Sequence, residues 1–407
     1  MSKISRRTFT GLMTASTAAL AMPSISLGAL PRVVVIGGGA GGATAARYLA
    51  KDSKGAVDVT LIEASKRYYT CFFSNLYLGG VRNYGSIGHN YYGLAVNRGV
   101  NVVHEWAVSV DNAAKKVNLG SGASVSYDKL VISPGIDIKY ESVNGYSPEA
   151  QTHIPHAWKS GTQVQLLKNK VMNMKQGGTF VMVTPPNPYR CPPGPYERVS
   201  MIAHQFKKSN PTAKIVVLDP KNKFSKQGLF MQAWQRHYPG MIEWIDADTH
   251  GGIKNVNVAK MEFETDLDTF KADAASIVPA QRAGSIAMAA GVNDGDWCPI
   301  MPASMQSKAD ENIYVLGDAS IAASMPKSGF SANSQAKVAA NHIRGSLTGS
   351  KIFGARYANT CWSLVGTNDG IKVGASYKAG DEKIEATSKF VSKTGEDSAT
   401  RKATYDE

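Results

Sequence analysis

The stretch PRVVVIGGGAGGATAARYLA, residues 31–50, limits what this chain can fold into more than any other. Arg32 opens a short apolar run, glycines follow, and the pattern then turns Ala-rich and helical. VDVTLIEA (57–64) reads as a second buried strand, so a β–α–β unit stands at the start. Gly37, Gly39 and Gly42 spell G-x-G-x-x-G between that strand and helix, and Glu63 ends the next strand, 21 residues after Gly42. The glycines let backbone approach a pyrophosphate at the helix N-terminus, where unpaired N–H groups and the helix dipole favour negative charge. An acid at that distance accepts hydrogen bonds from ribose hydroxyls. The glycines alone are a weak signal; with strand, helix and acid in these places they predict a dinucleotide site.

The alternation continues. YDKLVISPG (127–135) reads as a strand ending in a Pro-Gly turn, and GGTFVMVTPP (177–186) and AKIVVLDP (213–220) as two more, separated by the helical YERVSMIAHQFKK. ENIYVLGDAS (311–320) is a further strand, followed by a helix from about Ser331 to Arg344. Strands alternating with helices predict an α/β protein with parallel sheets. If the strand at 311–318 joins the first unit's sheet, the second unit is an insertion. In that second unit the strand FVMVT runs into PPNPYRCPPGPYER, where prolines and one glycine stand in place of a glycine loop. Proline has no N–H, and its ring blocks close approach of a phosphate. No NAD(P)H site is expected there.

The N-terminus, MSKISRRTFTGLMTASTAALAMPSISLGAL, places Arg6 and Arg7 ahead of an uncharged stretch to Leu30, with small residues at Gly28 and Ala29. Residues 1–29 read as a twin-arginine-type signal peptide, which predicts a periplasmic protein that folds around its cofactor before export. A membrane anchor is the competing reading, but the stretch is rich in Ser, Thr and Ala and contains Pro23. The chain carries 45 basic and 32 acidic side chains, net +13. That excess fits steering of an acidic partner or plain solubility. No basic run interleaves with aromatics, which argues against nucleic acid. Residues 378–407, rich in Lys, Glu, Ser, Thr and Gly, read as a poorly ordered tail. An exported protein can hold disulfides, and the four cysteines, Cys71, Cys191, Cys298 and Cys361, allow three full pairings.

Two motifs resemble those of the two-dinucleotide-binding flavoprotein superfamily that includes the disulfide reductases. Ile313-Tyr314-Val315-Leu316-Gly317-Asp318 is similar to its second FAD signature. Asp128 to Gly135 is similar to its middle motif, with Ser-Pro-Gly in place of Ala-Thr-Gly. The resemblance implies an FAD held at Gly135, Gly317 and Asp318, with the helix start near Ser331 aimed at the flavin ring. Read without it, Asp318 is a helix-capping residue.

Longer stretches resemble the flavoprotein subunit of the flavocytochrome c sulfide dehydrogenase family. They are YYTC (68–71), NGYSPEA (144–150), PHAWKSG (155–161), CPPGPYER (191–198) and MPKSGFSANSQAKVAA (325–340). The resemblance covers nearly all of the chain beyond residue 30 and weakens after about residue 365. It implies an FAD-binding Rossmann-like domain (30–144 and 281–350), an inserted second Rossmann-like domain without an NAD site (145–280), and a C-terminal interface segment (351–407). It further implies FAD bonded through its 8α-methyl to Cys71, and a redox-active disulfide between Cys191 and Cys361. From spacing alone such a bridge is a stabilising staple. Cys298, in DWCP, is left as a buried thiol. Glu197, six residues after Cys191, is an acid or base near the sulfurs, or else the partner of Arg198 or a lysine. Lys327 either places positive charge near the reduced flavin or is a solvated surface lysine. The implied activity is oxidation of sulfide to sulfur or polysulfide, with electrons passing to a separate c-type cytochrome subunit. The chain has no C-x-x-C-H of its own to hold haem. Two other readings stand beside this one: a sulfide:quinone oxidoreductase, and a non-enzymatic flavoprotein assembly factor for sulfur oxidation.

Overall fold

Five parallel strands build the first sheet: β1 (Arg32–Ile36), β2 (Asp58–Ile62), β3 (Asn101–Val103), β4 (Lys129–Ile132) and, from far along the chain, β9 (Ile313–Val315). Their order is β9-β4-β1-β2-β3. The computed structural model describes residues 29–407 apart from Ser160, so the signal-peptide reading lies outside the described residues. Val33, Val34, Val35, Leu130, Val131, Ile132 and Ile313 are at most 1% exposed. Strands covered on both faces need such unbroken apolar runs. Each of these side chains stabilises the fold by about 1.5–3 kcal/mol relative to an exposed one. Helices α1 (Ala40–Asp52) and α3 (Gly329–Thr348) pack together on this sheet.

Between β4 and β9 the chain builds a second parallel sheet from β5 (Thr179–Val183), β6 (Lys214–Leu218), β7 (Ile242–Ile245) and β8 (Ala274–Ile277), in the order β7-β6-β5-β8. The paired strands Ile136–Ile138 and Gln281–Ala283 carry the chain out and back. Ile313 pairs with Leu130, so β9 belongs to the first sheet and the second Rossmann-like domain is an insertion. Helix α2 (Gly194–Ser209) connects β5 to β6.

The C-terminal segment departs from expectation. Strands β10 (Arg356–Gly366), β11 (Asp369–Ala379) and β12 (Ile384–Val391) form an antiparallel sheet, and α4 (Ser398–Asp406) packs on β11. The poorly ordered tail expected from residue 378 is therefore wrong. β12 is an outer strand with most side chains exposed, and its order comes from backbone pairing to β11 along Val373–Ala379. Polar composition carries no trace of such pairing. Helix α4 is capped by Asp397, whose carboxylate accepts the Thr400 N–H at 2.7 Å. α2 packs against β10, which brings the inserted domain and the C-terminal sheet together over the first sheet's strand ends.

Candidate active site

The carboxyl ends of the first sheet open into a cavity of about 1860 Å³, larger than the roughly 300–1,000 Å³ of an ordinary small-ligand pocket. Gly37, with φ +96°, turns the chain from β1 toward α1, and a Cβ there would stand 2.3 Å from the Ser133 carbonyl oxygen. Gly42 lies within α1, where a Cβ would stand 1.8 Å from the Gly37 carbonyl oxygen. Gly39 is different: it caps α1, and the nearest atom to a Cβ is 3.7 Å away, on the Tyr68 ring. Its open face lines the cavity, as do Gly37, Gly135 and Gly317, whereas Gly42 does not. Glu63 also lines the cavity, held by the Gly38 N–H at 2.7 Å and the Ser65 N–H at 2.8 Å.

Asp318 follows β9 and faces Arg190 across the cavity floor at 3.7 Å, both side chains 12% exposed. Burial raises the Asp318 carboxyl, opposed by the charges of Arg190 and Lys327. Asp318 Oδ1 and Arg190 Nη2 are buried without a hydrogen-bond partner. Unspent donors and acceptors in a cavity wall mark where a polar ligand completes the bonding. Together with the glycine turn and Glu63 they fit an FAD: pyrophosphate along Gly39 and α1, a ribose at Glu63, and the polar chain toward the flavin at Asp318 and Arg190. Arg190 was not singled out from the sequence, although it adjoins Cys191.

Three thiols share this cavity. Cys71 begins a short turn, its sulfur 3.9 Å from the Tyr68 hydroxyl. Cys191 sits at φ +60°, a conformation costing a residue with a Cβ about 1–3 kcal/mol, and its N–H donates to the Lys327 carbonyl at 2.7 Å. Burial, then the charges of Cys361, Glu197 and Cys71, push the Cys191 thiol well up, while Arg190 pulls it down. Cys361 lies on β10, where the Asn359 amide donates to its sulfur at 3.4 Å. All four cysteines are free thiols in this structure, so the expected Cys191–Cys361 bridge is open here. Cys298 is fully buried away from the cavity, and burial lifts its thiol to about 12.

Glu197 reaches the cavity from the first turn of α2. Its carboxylate accepts the Asn75 amide at 2.9 Å and the Leu364 N–H at 2.9 Å, and burial raises it above the usual carboxylate range. The ion pair with Arg198 does not form. That guanidinium instead donates to the carbonyls of His156 at 2.7 Å and Ala157 at 2.6 Å.

Two sequence-derived positions stand elsewhere. Lys327 does not line the cavity and is not solvated. Its ammonium donates to the carbonyls of Asp318 (2.8 Å) and Ser320 (2.9 Å), lies 3.6 Å from the centre of the Trp297 ring, and is lowered by burial to about 8. It braces the Gly317–Asp318 turn from behind. Ser331 points to Asn359 at 3.2 Å, while Ser328, Gly329 and Phe330 present the start of α3 to the cavity. Trp362 and the α4 residues Thr404, Tyr405 and Asp406 line the cavity too, with no local motif to announce them.

At the matching place in the second sheet, Asp219 ends β6, fully buried. It accepts from Thr184 Oγ1 (2.8 Å), Tyr196 OH (2.6 Å) and Trp244 Nε1 (3.0 Å). Lys221 Nζ pairs with it at 2.6 Å and also donates to the Pro185 carbonyl at 2.6 Å.

A glycine turn and acid at one parallel sheet, an inserted second Rossmann-like domain and cysteines at the shared cavity define an FAD-dependent oxidoreductase of the disulfide-reductase type. Residues 31–175 match the pyridine nucleotide-disulphide oxidoreductase family profile. Residues 164–279 match that of the central region of the sulfide dehydrogenase (flavocytochrome c) flavoprotein chain, and residues 354–407 the flavin-binding region of flavocytochrome c sulphide dehydrogenase. The sulfide dehydrogenase (flavocytochrome c) flavoprotein chain of Chlorobaculum thiosulfatiphilum is 52% identical over 44 residues, 11% of this chain and 90% of that one. This chain belongs to the flavoprotein-chain family of flavocytochrome c sulfide dehydrogenase. The mitochondrial sulfide:quinone oxidoreductase of Mus musculus is 25% identical over 186 residues, 45% of this chain and 41% of its own length. The crystal structure of sulfide:quinone oxidoreductase from Aquifex aeolicus superposes with a TM-score of 0.69 at 18% identity, covering 92% of this chain and 90% of that one.

Proposed function

We propose that this chain is the flavoprotein of a periplasmic sulfide dehydrogenase, exported by the twin-arginine route, with FAD bonded to Cys71 and a c-type cytochrome as electron acceptor. The observation that carries the reading is the meeting of Cys71, Cys191 and Cys361 in the cavity that the dinucleotide turn also lines. In the resting enzyme Cys191 and Cys361 form a disulfide. Hydrosulfide opens it by thiol–disulfide exchange, leaving a persulfide on one cysteine and a thiolate on the other. The flavin, when bound, supplies the two-electron acceptor that hands electrons on singly. A second hydrosulfide then releases the sulfur as polysulfide and leaves both cysteines reduced; closing their disulfide again gives up the two electrons that the acceptor takes.

Each protein group has a task in this scheme. Glu197, buried and raised, holds or delivers a proton beside the sulfurs. Arg190 and Asp318, with their unpartnered Nη2 and Oδ1, would hold the cofactor's polar chain. The start of α3 faces the same region and favours negative charge there. The test is anaerobic addition of sulfide to the purified flavoprotein. Flavin bleaching that is lost in Cys191→Ser, followed by reduction of added cytochrome c, supports the reading. Bleaching that persists in Cys191→Ser sinks the disulfide step, and no bleaching at all favours the assembly-factor reading. The exposed aromatic rim of Phe330 and Trp362, ring centres 6.1 Å apart at the cavity, favours quinone as the second candidate acceptor. Faster reduction of a soluble quinone than of cytochrome c would select it. No helix among the described residues is long and apolar enough to cross a membrane.

A further inference from the structure

Lys226 was given no part by the sequence, yet it stands beside the thiol pair. It precedes the helix Gln227–His237 at φ +63°. Its ammonium donates to the Cys361 carbonyl at 3.1 Å, Ser363 Oγ at 2.9 Å and the Ile371 carbonyl at 3.4 Å. No carboxylate lies within ion-pair distance of it among the described residues. Burial lowers the ammonium to about 8, while the charges of Cys361, Glu197 and Cys191 support it. Enclosing a cation without a carboxylate partner is costly, and three neutral acceptors do not repay it fully.

The groups facing this spot come from four elements. α2 brings Glu197 and Arg198, the loop before it brings Arg190 and Cys191, β10 brings Cys361, and β11 brings Tyr377, which the Cys361 charge touches. Arg190 is engaged by Asp318, and Arg198 by two carbonyls and Ser276. Arg190 pulls the Cys191 thiol down, and Lys226 is the cation on the other side of the pair, seated at the Cys361 carbonyl.

We propose that Lys226 is the counter-charge of the Cys191–Cys361 pair, stabilising a thiolate on Cys361 and so directing the incoming sulfur to Cys191. The inference rests on the sulfide reading above. The step balances as follows: the hydrosulfide sulfur bonds to Cys191 Sγ, and the Cys191–Cys361 S–S bond breaks. Its electron pair leaves with Cys361 Sγ. The proton of hydrosulfide stays on the terminal sulfur, one negative charge passes from substrate to Cys361, and no outside oxidant is used. Exchange runs toward the sulfur whose partner leaves as the better-stabilised thiolate. Lys226 acts through Cys361 and is a positioning residue.

The test is alkylation of the reduced, FAD-loaded protein by iodoacetamide across pH 6–9, read for each cysteine by peptide mass. In wild type, Cys361 is labelled faster than Cys191. Lys226→Met slows Cys361 on the order of tenfold at neutral pH, because the attacking species is the thiolate. Lys226→Arg restores the rate to within about threefold, because the charge is kept. Lys226→Gln, which keeps a donor for Ser363 and the two carbonyls but carries no charge, slows Cys361 in the same way and keeps the test open if Lys226→Met folds poorly. Equal Cys361 rates in wild type, Lys226→Met and Lys226→Gln overturn the assignment. Peptide mass of the oxidised protein separately shows whether the Cys191–Cys361 bridge forms. Its absence sinks the disulfide reading, while the alkylation rates still decide the role of Lys226.

Discussion

Two glycines of one motif are predicted to fail in different ways when each is changed to alanine. At Gly42 the added methyl would stand 1.8 Å from the Gly37 carbonyl oxygen and 3.2 Å from a Val35 methyl. The oxygen is backbone and cannot swing aside, so α1 must move off the sheet by at least about 1 Å to reach ordinary contact. Overpacking of this kind costs about 1–3 kcal/mol or more. The helix gains back roughly 0.8–1 kcal/mol from alanine's propensity. A net loss of about 1–2 kcal/mol lowers the Tm of a 150–250-residue unit by roughly 2–8 °C. At Gly39 the backbone (φ −74°) suits alanine, and nothing lies closer than 3.7 Å. Gly39→Ala therefore melts within about 2 °C of wild type, but its methyl projects into the cavity where the pyrophosphate must lie. The assay is thermal unfolding of the flavin-free proteins by circular dichroism, together with FAD retained through gel filtration. Both are done in a Cys71→Ser background so that no tether masks weak binding. Gly39→Ala should keep its Tm and lose FAD, and Gly42→Ala should lose Tm. Unchanged melting of Gly42→Ala, or full FAD retention by Gly39→Ala, would refute the reasoning.

Three further outcomes follow from the same structure. Burial lowers His156 to about 3, and its Nδ1 accepts the Trp158 N–H at 3.0 Å, so the ring is neutral when folded. The unfolded chain takes the proton first, so stability falls as pH drops from about 6.5 toward 3, by up to about 4 kcal/mol. His156→Asn keeps the acceptor and should move the acid-unfolding midpoint to lower pH; an unmoved midpoint would count against this account. Cys71→Ser should leave FAD that departs on denaturation, whereas in wild type the flavin mass should travel with the peptide from Tyr68 to Arg82. A bare wild-type peptide removes the tether. Gly370→Ala would place a methyl 2.6 Å from the Tyr405 nitrogen, so α4 should lift and trypsin should cut at Arg401 and Lys402. An unchanged digest would show that α4 does not depend on this contact.

The two parallel sheets and the glycine turn were legible from residue patterns alone. Runs such as VVVI and IVVL can be buried only as covered strands, and Gly37, Gly39, Gly42 and Glu63 encode their chemistry in local spacing. The proline loop predicts no NAD(P)H site in the second unit, while the pairing of Asp219 with Lys221 left no mark in the sequence. Other arrangements have no local signal and come from long-range packing. β9 returns to the first sheet across the inserted domain through pairing of residues more than 180 apart in the chain, Ile313 with Leu130. β12 and α4 are ordered by backbone pairing and one close approach at Gly370, which polar composition hides. Lys327 and Ser331 carry promising motifs, yet their side chains turn away from the cavity, because neighbouring carbonyls and Asn359 satisfy them first. Lys226 meets Cys361, Ser363 and Ile371 only because the fold sets β10 and β11 beside the loop before Gln227. Long side chains take their meaning from what the fold sets beside them, and that is a property of packing rather than of spacing.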